Sequence, residues 1–252
     1  MPDLTRDLRL FADGAEIARG CRISLRAESR LTLRPAAHLL EIRSLSDSSA
    51  ALLAGAKRLE ARSGRNLLAA GEIAEAYTRA VSGARVTTAI FSPGLSLWRS
   101  SVSLSVAGGT KVSDTLRLLL SASGTGVPLA AFAARDRVLS RPQAFFGRTC
   151  DALALLAETV EADLFFGSAG VCVSGRSERE AAVRLAEQDL LSGPARAGSR
   201  WILSAPMAGW MPGTFLEWSW KGANKKGRIV SVLVQAENAS GPWKTELEVE
   251  EG

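Results

Sequence analysis

Apolar and polar residues alternate along much of this chain, and that alternation predicts short β-strands. In residues 21–26, CRISLR, every second residue is apolar, the period of a strand with one buried face. The dipeptide Asp13-Gly14 is a strong hairpin signal between residues 8–11 and 16–18. Leu31 and Leu33 repeat the alternation. The N-terminal third therefore reads as a series of strands joined by tight turns.

The same pattern continues towards residue 106, with one ambiguous stretch. Further N-terminal strands are predicted at 39–43, 57–62, 85–91 and 95–106, with one helical turn at 50–54. The ambiguous stretch is 67–80. It is rich in Ala, Glu and Leu and fits a helix, but it also fits two strands at 72–74 and 77–78.

In the middle third the period changes to that of helices. Ser113 is predicted to begin a capped helix, and Thr149 to cap a second one that has Asp151 in its first turn. Two short strands are expected at 164–166 and 171–173, joined by a turn from Gly167 to Gly170. Residues 175–200 read as a linker, in which 181–191 fits a short helix or a strand pair.

From Trp201 the pattern is again that of strands. They are predicted at 201–203, 215–220, 228–234 and 243–249, with a basic hairpin loop at 222–227. The fold class predicted is α+β and mainly β, with barrels or sandwiches at both ends. We expect three domains: a β domain at 1–106, a small α+β domain at 107–177, and a linker with a second β domain at 178–252.

Composition narrows the class of protein. The chain has 252 residues, of which 46% are apolar and 23% charged, which is ordinary for a globular protein. No apolar run approaches the ~20 residues that cross a bilayer, and the N-terminus lacks the apolar core of a secretory signal. We therefore expect a protein made in the cytoplasm. The net charge of +5 is not gathered into a basic stripe with aromatics, so a dedicated nucleic-acid binder is disfavoured.

No pattern of catalytic or metal-binding residues stands out. Cys21, Cys150 and Cys172 fit no zinc or CxxC spacing and are predicted to be small buried hydrophobic residues. The single histidine, His38, is expected to be an exposed or hydrogen-bonded turn residue. Glycine pairs at 108–109 and 124–126 lack the spacing of phosphate loops. We expect no catalytic residue, no metal and no cofactor.

Three C-terminal features have two interpretations each. Trp201, Trp210, Trp218 and Trp220 suit a sugar-binding platform, but residues of this kind are more often core or interface anchors. The alternating acids from Glu246 to Glu251 suit the wet face of an outer strand, or a surface that lines a channel or meets a partner. Asn238-Ala239-Ser240 matches a glycosylation acceptor, although a hairpin turn is the expected role.

Two segments in order resemble a known family. The first is 146–157, FGRTCDALALLA, which begins the second predicted helix. The second is the C-terminal run from Met211-Pro-Gly213 through 227–232, GRIVSV, to 237–245, ENASGPWKT. Together they resemble the baseplate hub proteins of contractile-tailed phages and related contractile injection particles, of the late-control-protein-D type.

The resemblance implies a structural role. It implies two tail-tube-like β-barrel domains with a small α+β insertion, and a homotrimer that presents six barrels around a channel. The partners implied are the tail tube protein, the spike protein and the baseplate wedge proteins. DNA would pass through the channel without specific binding, and no membrane is involved. The place implied is the virion tail baseplate, assembled in the bacterial cytoplasm, and no catalytic residue is required.

Two other hypotheses come from different classes of protein. One is a carbohydrate- or surface-binding module that uses the four C-terminal tryptophans. The other is a hydrolase acting on the cell wall, which the missing acid pair or triad disfavours.

Overall fold

The computed structural model describes residues 6–167, 169–176 and 183–251, and these form two units. The first unit comprises residues 6–28, 36–92 and 183–251. The second comprises residues 29–35 together with the described residues from Pro93 to Arg176. These units do not coincide with the predicted ranges 1–106, 107–177 and 178–252, because strands from the first and third ranges belong to one sheet.

The first unit is built on a sheet of thirteen strands. A helix, α1 (Asp47–Gly55), and a short 3-10 helix (Glu187–Asp189) accompany it. The strands of its N-terminal half are β1 (Arg9–Ala12), β2 (Ala15–Ile17), β3 (Arg22–Arg30), β4 (His38–Arg43), β5 (Arg58–Ser63), β6 (Asn66–Val81) and β7 (Ala84–Ser92). Those of its C-terminal half are β13 (Val183–Leu185), β14 (Ser192–Ala197), β15 (Arg200–Ala205), β16 (Phe215–Trp220), β17 (Ala223–Glu237) and β18 (Trp243–Glu251).

The two halves of this sheet meet where β17 lies beside β3. The strand order is β14-β15-β18-β17-β3-β4-β7-β6-β5-β1-β2, and β16 lies between β17 and β13. Pairs within each half are antiparallel, except that β13 runs parallel to β16. No closed barrel is found in the part of the chain that the structure describes, so the closed two-barrel form expected from the resemblance is not seen there.

Alternation along these strands determines which face is buried. Leu40 and Ile42 of β4 are fully buried, as are Leu247 and Val249 of β18. The chain is mainly β, as the alternation predicted. This core contains 28 buried residues from both halves of the sheet, and at ~1.5–3 kcal/mol per large side chain it is the main source of stability in the unit.

The second unit combines three helices with two small sheets. Its helices are α2 (Leu95–Arg99), α3 (Val112–Ala122) and α4 (Thr149–Thr159). Its strands are β8 (Ser101–Val106), β9 (Leu129–Ala133), β10 (Gln143–Arg148), β11 (Ala162–Gly167) and β12 (Gly170–Gly175). β8 pairs with β10, and β12 lies between β11 and β9. The predicted strand pair around Gly167–Gly170 is confirmed, whereas the parallel pairing of β9 with β12 has no local signal in the sequence.

Both predicted helix caps are wrong in detail, because other residues satisfy the first backbone N–H groups. Ser113 lies inside the first turn of α3, and the carboxylate of Asp136 accepts from its backbone N (3.1 Å) and its hydroxyl (2.7 Å). Thr149 is the first residue of α4. Its hydroxyl lies 2.7 Å from the hydroxyl of Ser100, whose carbonyl accepts from the backbone N of Thr149. Residues distant in sequence supply the cap in each case.

Three other local predictions are corrected, and the ambiguous stretch 67–80 is resolved as strand. Residues 66–81 form one strand with a bulge between Ile73 and Glu75, where a helix or two strands had been left open, because pairing with β5 and β7 outweighs local helix propensity. Residues 95–99 are helical, after Gly94 adopts a left-handed conformation with φ 65°. Residues 31–34 continue no strand. The predicted loop at 222–227 is a turn at Lys221 and Gly222, after which β17 begins at once.

The predicted linker at 175–200 is wrong over much of its length. Residues 183–185 and 192–197 are strands of the large sheet, because they pair with β16 and β15. Residues 177–182 of that linker lie outside the described residues.

Candidate assembly surfaces

The face of the large sheet opposite the core is lined mainly by polar and charged side chains. In the N-terminal half the strand register places Tyr77, Thr88, Glu41 and Ser24 in one row across β6, β7, β4 and β3. A parallel row begins at the exposed Arg79 and ends at Arg22. The complete rows are Arg79, Val86, Arg43 and Arg22; Tyr77, Thr88, Glu41 and Ser24; and Glu75, Ile90, Leu39 and Arg26.

The C-terminal half continues this face with more carboxylates. Glu246, Glu248 and Glu250 of β18 lie on this face, but β18 is not the outer strand that was predicted, because it pairs with β15 on one side and β17 on the other. The complete rows are Leu233, Glu246, Ser204 and Ser192; Ser231, Glu248, Ile202 and Ala195; and Arg228, Glu250, Arg200 and Ala197. This half is therefore acidic where the N-terminal half is richer in arginine.

Many charges on this face are neutralised by neighbours within the sheet. Arg200 donates to Glu248 at 2.8 Å, and this bond raises the pKa of the guanidinium. Arg79 lies 3.6 Å from Glu41, and Arg22 pairs with Glu237 across β3 and β17. Exposed pairs of this kind add little to stability. Their effect is to leave a wide, wet surface without a strong field of one sign.

Both ends of the eight-strand path β6-β7-β4-β3-β17-β18-β15-β14 have unpaired backbone. At one end, β5 pairs with β6 over Asn66–Glu72 and the backbone N of Ile73 donates to the carbonyl of Lys57, so among the described residues the stretch 74–81 pairs with β7 alone. At the other end, β14 pairs with β15, and no described strand lies on its outer side. Unpaired N–H and C=O groups along a strand edge are templates for another strand.

The four C-terminal tryptophans do not form a flat platform. Trp218 is 1% exposed, and its ring meets that of Trp201 at an interplanar angle of 62°. Trp201 donates its Nε1–H to Glu251 at 3.0 Å, beneath the ammonium of Lys225. Trp210 donates to the carbonyl of Pro206. Three of the four thus serve packing and local hydrogen bonding, the commoner role for such residues.

His38 is buried and not an exposed turn residue, which corrects half of its prediction. It begins β4, is 2% exposed, and lies edge-on to Phe91 with ring centroids 5.0 Å apart. Its Nδ1 accepts a hydrogen bond from the backbone N of Glu28 at 3.3 Å, so the hydrogen-bonded part of the prediction holds. Burial lowers the pKa of His38 to about 4. The pairing of β4 between β3 and β7 explains this burial, which no local pattern signals.

The cysteines show the environment of structural thiols. Cys150 and Cys172 are buried as predicted, whereas Cys21 is half-buried. Burial raises the pKa of all three thiols, that of Cys150 to about 11, so all are protonated at neutral pH. In the described ranges, no group of three His, Cys, Asp or Glu side chains could hold a metal ion.

A cavity of about 430 Å³ lies between β13, β16 and β17 in the first unit. Its central carboxylate, Glu217, pairs with both Arg184 and Lys226, and these cations lower its pKa. Both cations are therefore occupied. Nothing in this arrangement provides an activated nucleophile or an acid–base pair.

Asn238, predicted only as a residue of a hairpin turn, has a further role that no local pattern signals. Its side-chain amide binds the backbone of the neighbouring strand: Oδ1 accepts from the N of Ile23 (2.8 Å) and Nδ2 donates to the carbonyl of Cys21 (2.9 Å). The turn position is as predicted, because Asn238 follows β17 directly. Its amide thereby joins the two halves of the sheet.

Comparison with known proteins decides the type of fold. No family model matches the sequence, and no curated protein matches it. Among solved structures, a tail protein from Neisseria meningitidis MC58 superposes with a TM-score of 0.72 at 12% identity, over 97% of this chain and 96% of that one. The fold is that of phage tail proteins.

Two further structures agree with this fold. The 43 kDa tail protein of prophage MuSo2 from Shewanella oneidensis has a TM-score of 0.69 at 10% identity, with 97% of each chain covered. The E. coli c3393 protein has a TM-score of 0.69 at 11% identity, over 96% of this chain and 76% of that one. That protein is described as a type VI secretion component structurally similar to the T4 tail proteins gp27 and gp5. In the described part of this chain, no helix has the length and apolarity to span a membrane.

Proposed function

We propose that this chain is the structural hub of a phage tail baseplate or a phage-like injection particle, a ring-shaped oligomer that joins the tail tube to the spike. The observation that supports this proposal best is the eight-strand path from β6 to β14, which has unpaired backbone along part of β6 and along β14 and is mainly polar on one face. The tail-protein fold of the structural neighbours agrees with it.

Two unlike free ends favour a ring. If residues 74–81 of one copy pair with β14 of the next, each contact is head-to-tail, and such contacts close into a cyclic oligomer when the rotation permits. Each half of the path contributes four strands, β6-β7-β4-β3 and β17-β18-β15-β14. Each half then acts as one tail-tube-like barrel module, and a homotrimer would present six around a channel.

The polar face suits the wall of that channel. Its internally paired charges and the carboxylates of β18 give no dense cationic stripe that would hold the phosphates of DNA. DNA would pass without specific binding. The proposed neighbours are the tail tube protein, the spike protein and the wedge proteins, within a virion tail, and the role requires no catalysis.

Disulfide trapping between the two free ends tests this proposal. In a Cys21→Ser background, the double variant Val81→Cys, Ala195→Cys places one thiol on the unpaired part of β6 and one on β14; both positions are exposed and lie on the polar face of the sheet. Oxidation should give a ladder of covalent dimer and trimer on a denaturing gel, ending at three times 26.7 kDa, about 80 kDa.

The single variants Val81→Cys and Ala195→Cys are the matched controls and should give no trimer. The ring is refuted if the oxidised double variant stays monomeric on the gel and the wild-type protein also has a single-chain mass in solution.

A further inference from the structure

The two-stranded sheet of the second unit continues past its named strands as a longer antiparallel ribbon. β8 pairs with β10 without a register shift. The same register recurs beyond the end of β8, where Lys111 lies opposite Val138 and backbone hydrogen bonds of 2.7, 2.8 and 2.9 Å flank this pair. Residues 101–112 and 137–148 therefore form one structure with two faces, which we call the ribbon.

One face of the ribbon lies against the core of the second unit, and the other face is open. Phe145 is buried in that core, whereas Phe146, the next residue of β10, is 89% exposed. The residues of this strand that stand on the open face, all of them exposed, are Val138, Ser140, Pro142, Ala144, Phe146 and Arg148. The facing strand contributes three serines, an alanine, a glycine and Lys111 to the open face, and these are exposed as well.

The open face is apolar where the solvated face of a strand is normally polar. An antiparallel sheet with one face on a core has apolar residues inside and polar residues outside, whereas strands covered on both faces carry apolar residues on both. Val138 is 60% exposed and Phe146 is 89% exposed, with Pro142 and Ala144 between them on the same face. This pattern is expected of a ribbon whose open face is covered by a partner.

The charges of the ribbon are all positive, and they indicate what kind of partner fits. The ribbon contains no carboxylate and four cations, Lys111, Arg137, Arg141 and Arg148. Two of these, Arg137 and Arg148, pair with carboxylates elsewhere in the unit at 2.9 and 3.0 Å. Among the residues that the structure describes, no carboxylate pairs with Lys111 or Arg141, and both are exposed. Complementarity therefore requires an acidic partner.

The composition of the open face favours a protein segment over a nucleic acid. Affinity for DNA comes mainly from many contacts between cations and phosphates, and the ribbon has only two cations that are not already paired. Binding of single strands uses several aromatic residues on which bases stack, and Phe146 is the one aromatic residue of the open face. Protein interfaces, in contrast, combine a buried aromatic residue with a charged rim.

We infer that the open face of the ribbon binds an acidic protein segment that carries apolar residues. Phe146 is the apolar anchor of this surface, and Lys111 and Arg141 face carboxylates of the partner. The surface goes beyond the proposed ring, because the ring uses strand edges of the first unit and the ribbon belongs to the second.

A pair of acidic peptides tests the apolar part of the surface. Both are labelled with fluorescein and have the sequence Glu-Glu-X-Glu-X-Glu-X-Glu-Glu, in which X is Leu in one peptide and Ser in the other. Fluorescence anisotropy with the full chain at about 0.05 M NaCl should show the Leu peptide binding at least about fivefold more tightly. Phe146→Ser should reduce this difference to within about twofold, whereas Leu155→Ser, at an exposed apolar position of α4, should preserve it.

A pair of double variants tests the charged part. Lys111→Gln with Arg141→Gln should weaken binding of both peptides by about threefold or more and should flatten the dependence of binding on salt. Arg19→Gln with Arg65→Gln removes the same charge from exposed positions of the first unit. This control should bind the peptides within about twofold of the wild type.

Three outcomes would overturn the inference. They are no binding of the Leu peptide by the wild type, equal losses in the two double variants, and tighter binding of a labelled single-stranded DNA that Phe146→Ser abolishes. If Phe146→Ser does not fold by circular dichroism, hydrogen exchange on the wild type replaces it: the Leu peptide, and not the Ser peptide, must slow exchange of the ribbon amides.

The ring and the ribbon surface can fail separately. Trimer trapping uses Val81→Cys and Ala195→Cys, both in the first unit. A chain that binds the Leu peptide but forms no ring would refute the ring and leave the ribbon surface supported, and a trapped trimer that binds no peptide would do the reverse.

Discussion

His38 shows how a single side chain is governed by contacts remote in sequence. In sequence it follows Pro35 and reads as part of a turn, yet it is enclosed between β3 and β7 and its imidazole faces Phe91. An uncharged ring suits this position, because the imidazolium would lose its hydration on burial. The lowered pKa follows from that burial.

We predict that His38 makes folding stability depend on pH between about 6.5 and 4. The folded-state pKa is about 4 and the ordinary value is 6.5, so the unfolded state binds a proton first as pH falls. Stability from this residue is full above pH 6.5 and declines as pH falls to 4, by up to ~3 kcal/mol. Urea unfolding at pH 7, 5.5 and 4.5 should show that His38→Gln reduces this dependence. Equal slopes in wild type and variant would contradict the prediction.

Asn238 is a second residue whose effect should exceed its local role. In Asn238→Asp the carboxylate can still accept from Ile23 but cannot donate to the carbonyl of Cys21, which it would repel. The free energy of unfolding should fall by ~1–3 kcal/mol. Ser240→Ala, in the same turn and exposed, is the control and should change it by less than ~0.5 kcal/mol. Chemical denaturation measures both, and equal losses would show that the amide bridge contributes nothing.

At the scale of elements, the second unit depends on a tight turn before α2. Gly94 adopts φ 65°, and a Cβ there would lie 2.0 Å from the ring of Phe166 on β11. The turn therefore needs glycine twice, for its backbone conformation and for the close approach of an aromatic ring.

Gly94→Ala should destabilise the protein by ~2–4 kcal/mol, because left-handed strain and overpacking add. Gly109→Ala is a matched control: φ is 84°, but no atom lies within 4 Å of the new Cβ, so only the backbone cost of ~1–2 kcal/mol applies. Thermal unfolding followed by circular dichroism compares the two. A loss no larger for Gly94→Ala than for Gly109→Ala would show that the Phe166 contact is unimportant.

At the scale of the whole molecule, the proposed ring depends on two unlike strand edges of the large sheet, residues 74–81 and β14. The closed barrels expected from the resemblance are not found in the described chain. In the proposed ring, the sheet of one copy continues into the sheet of the next. Light scattering on the wild type should therefore give a mass near three chains, about 80 kDa, and a stable single-chain mass at micromolar concentration would count against it.

The sequence alone determined the elements that depend on local periodicity. Alternating residues such as 21–26 and 243–249 became strands, because burial of one face favours every second apolar residue. The mainly β class, the strand pair around Gly167–Gly170 and the apolar faces of α3 and α4 followed in the same way. Ser113 and Thr149 came close to being caps, but the residues that satisfy those helix ends, Asp136 and Ser100, lie elsewhere in the chain.

Only the tertiary structure decided features that depend on contacts between distant residues. The pairing of β17 with β3 joins segments about 200 residues apart, and it merges the first and last predicted domains into one unit. The same pairing places Asn238 beside its hydrogen-bond partners. His38 is buried because β4 lies between β3 and β7, and residues 66–81 form a strand because they pair with β5 and β7. Local periodicity tells which face of an element is apolar, but not which other element will cover it, because that choice depends on the fit of the whole core.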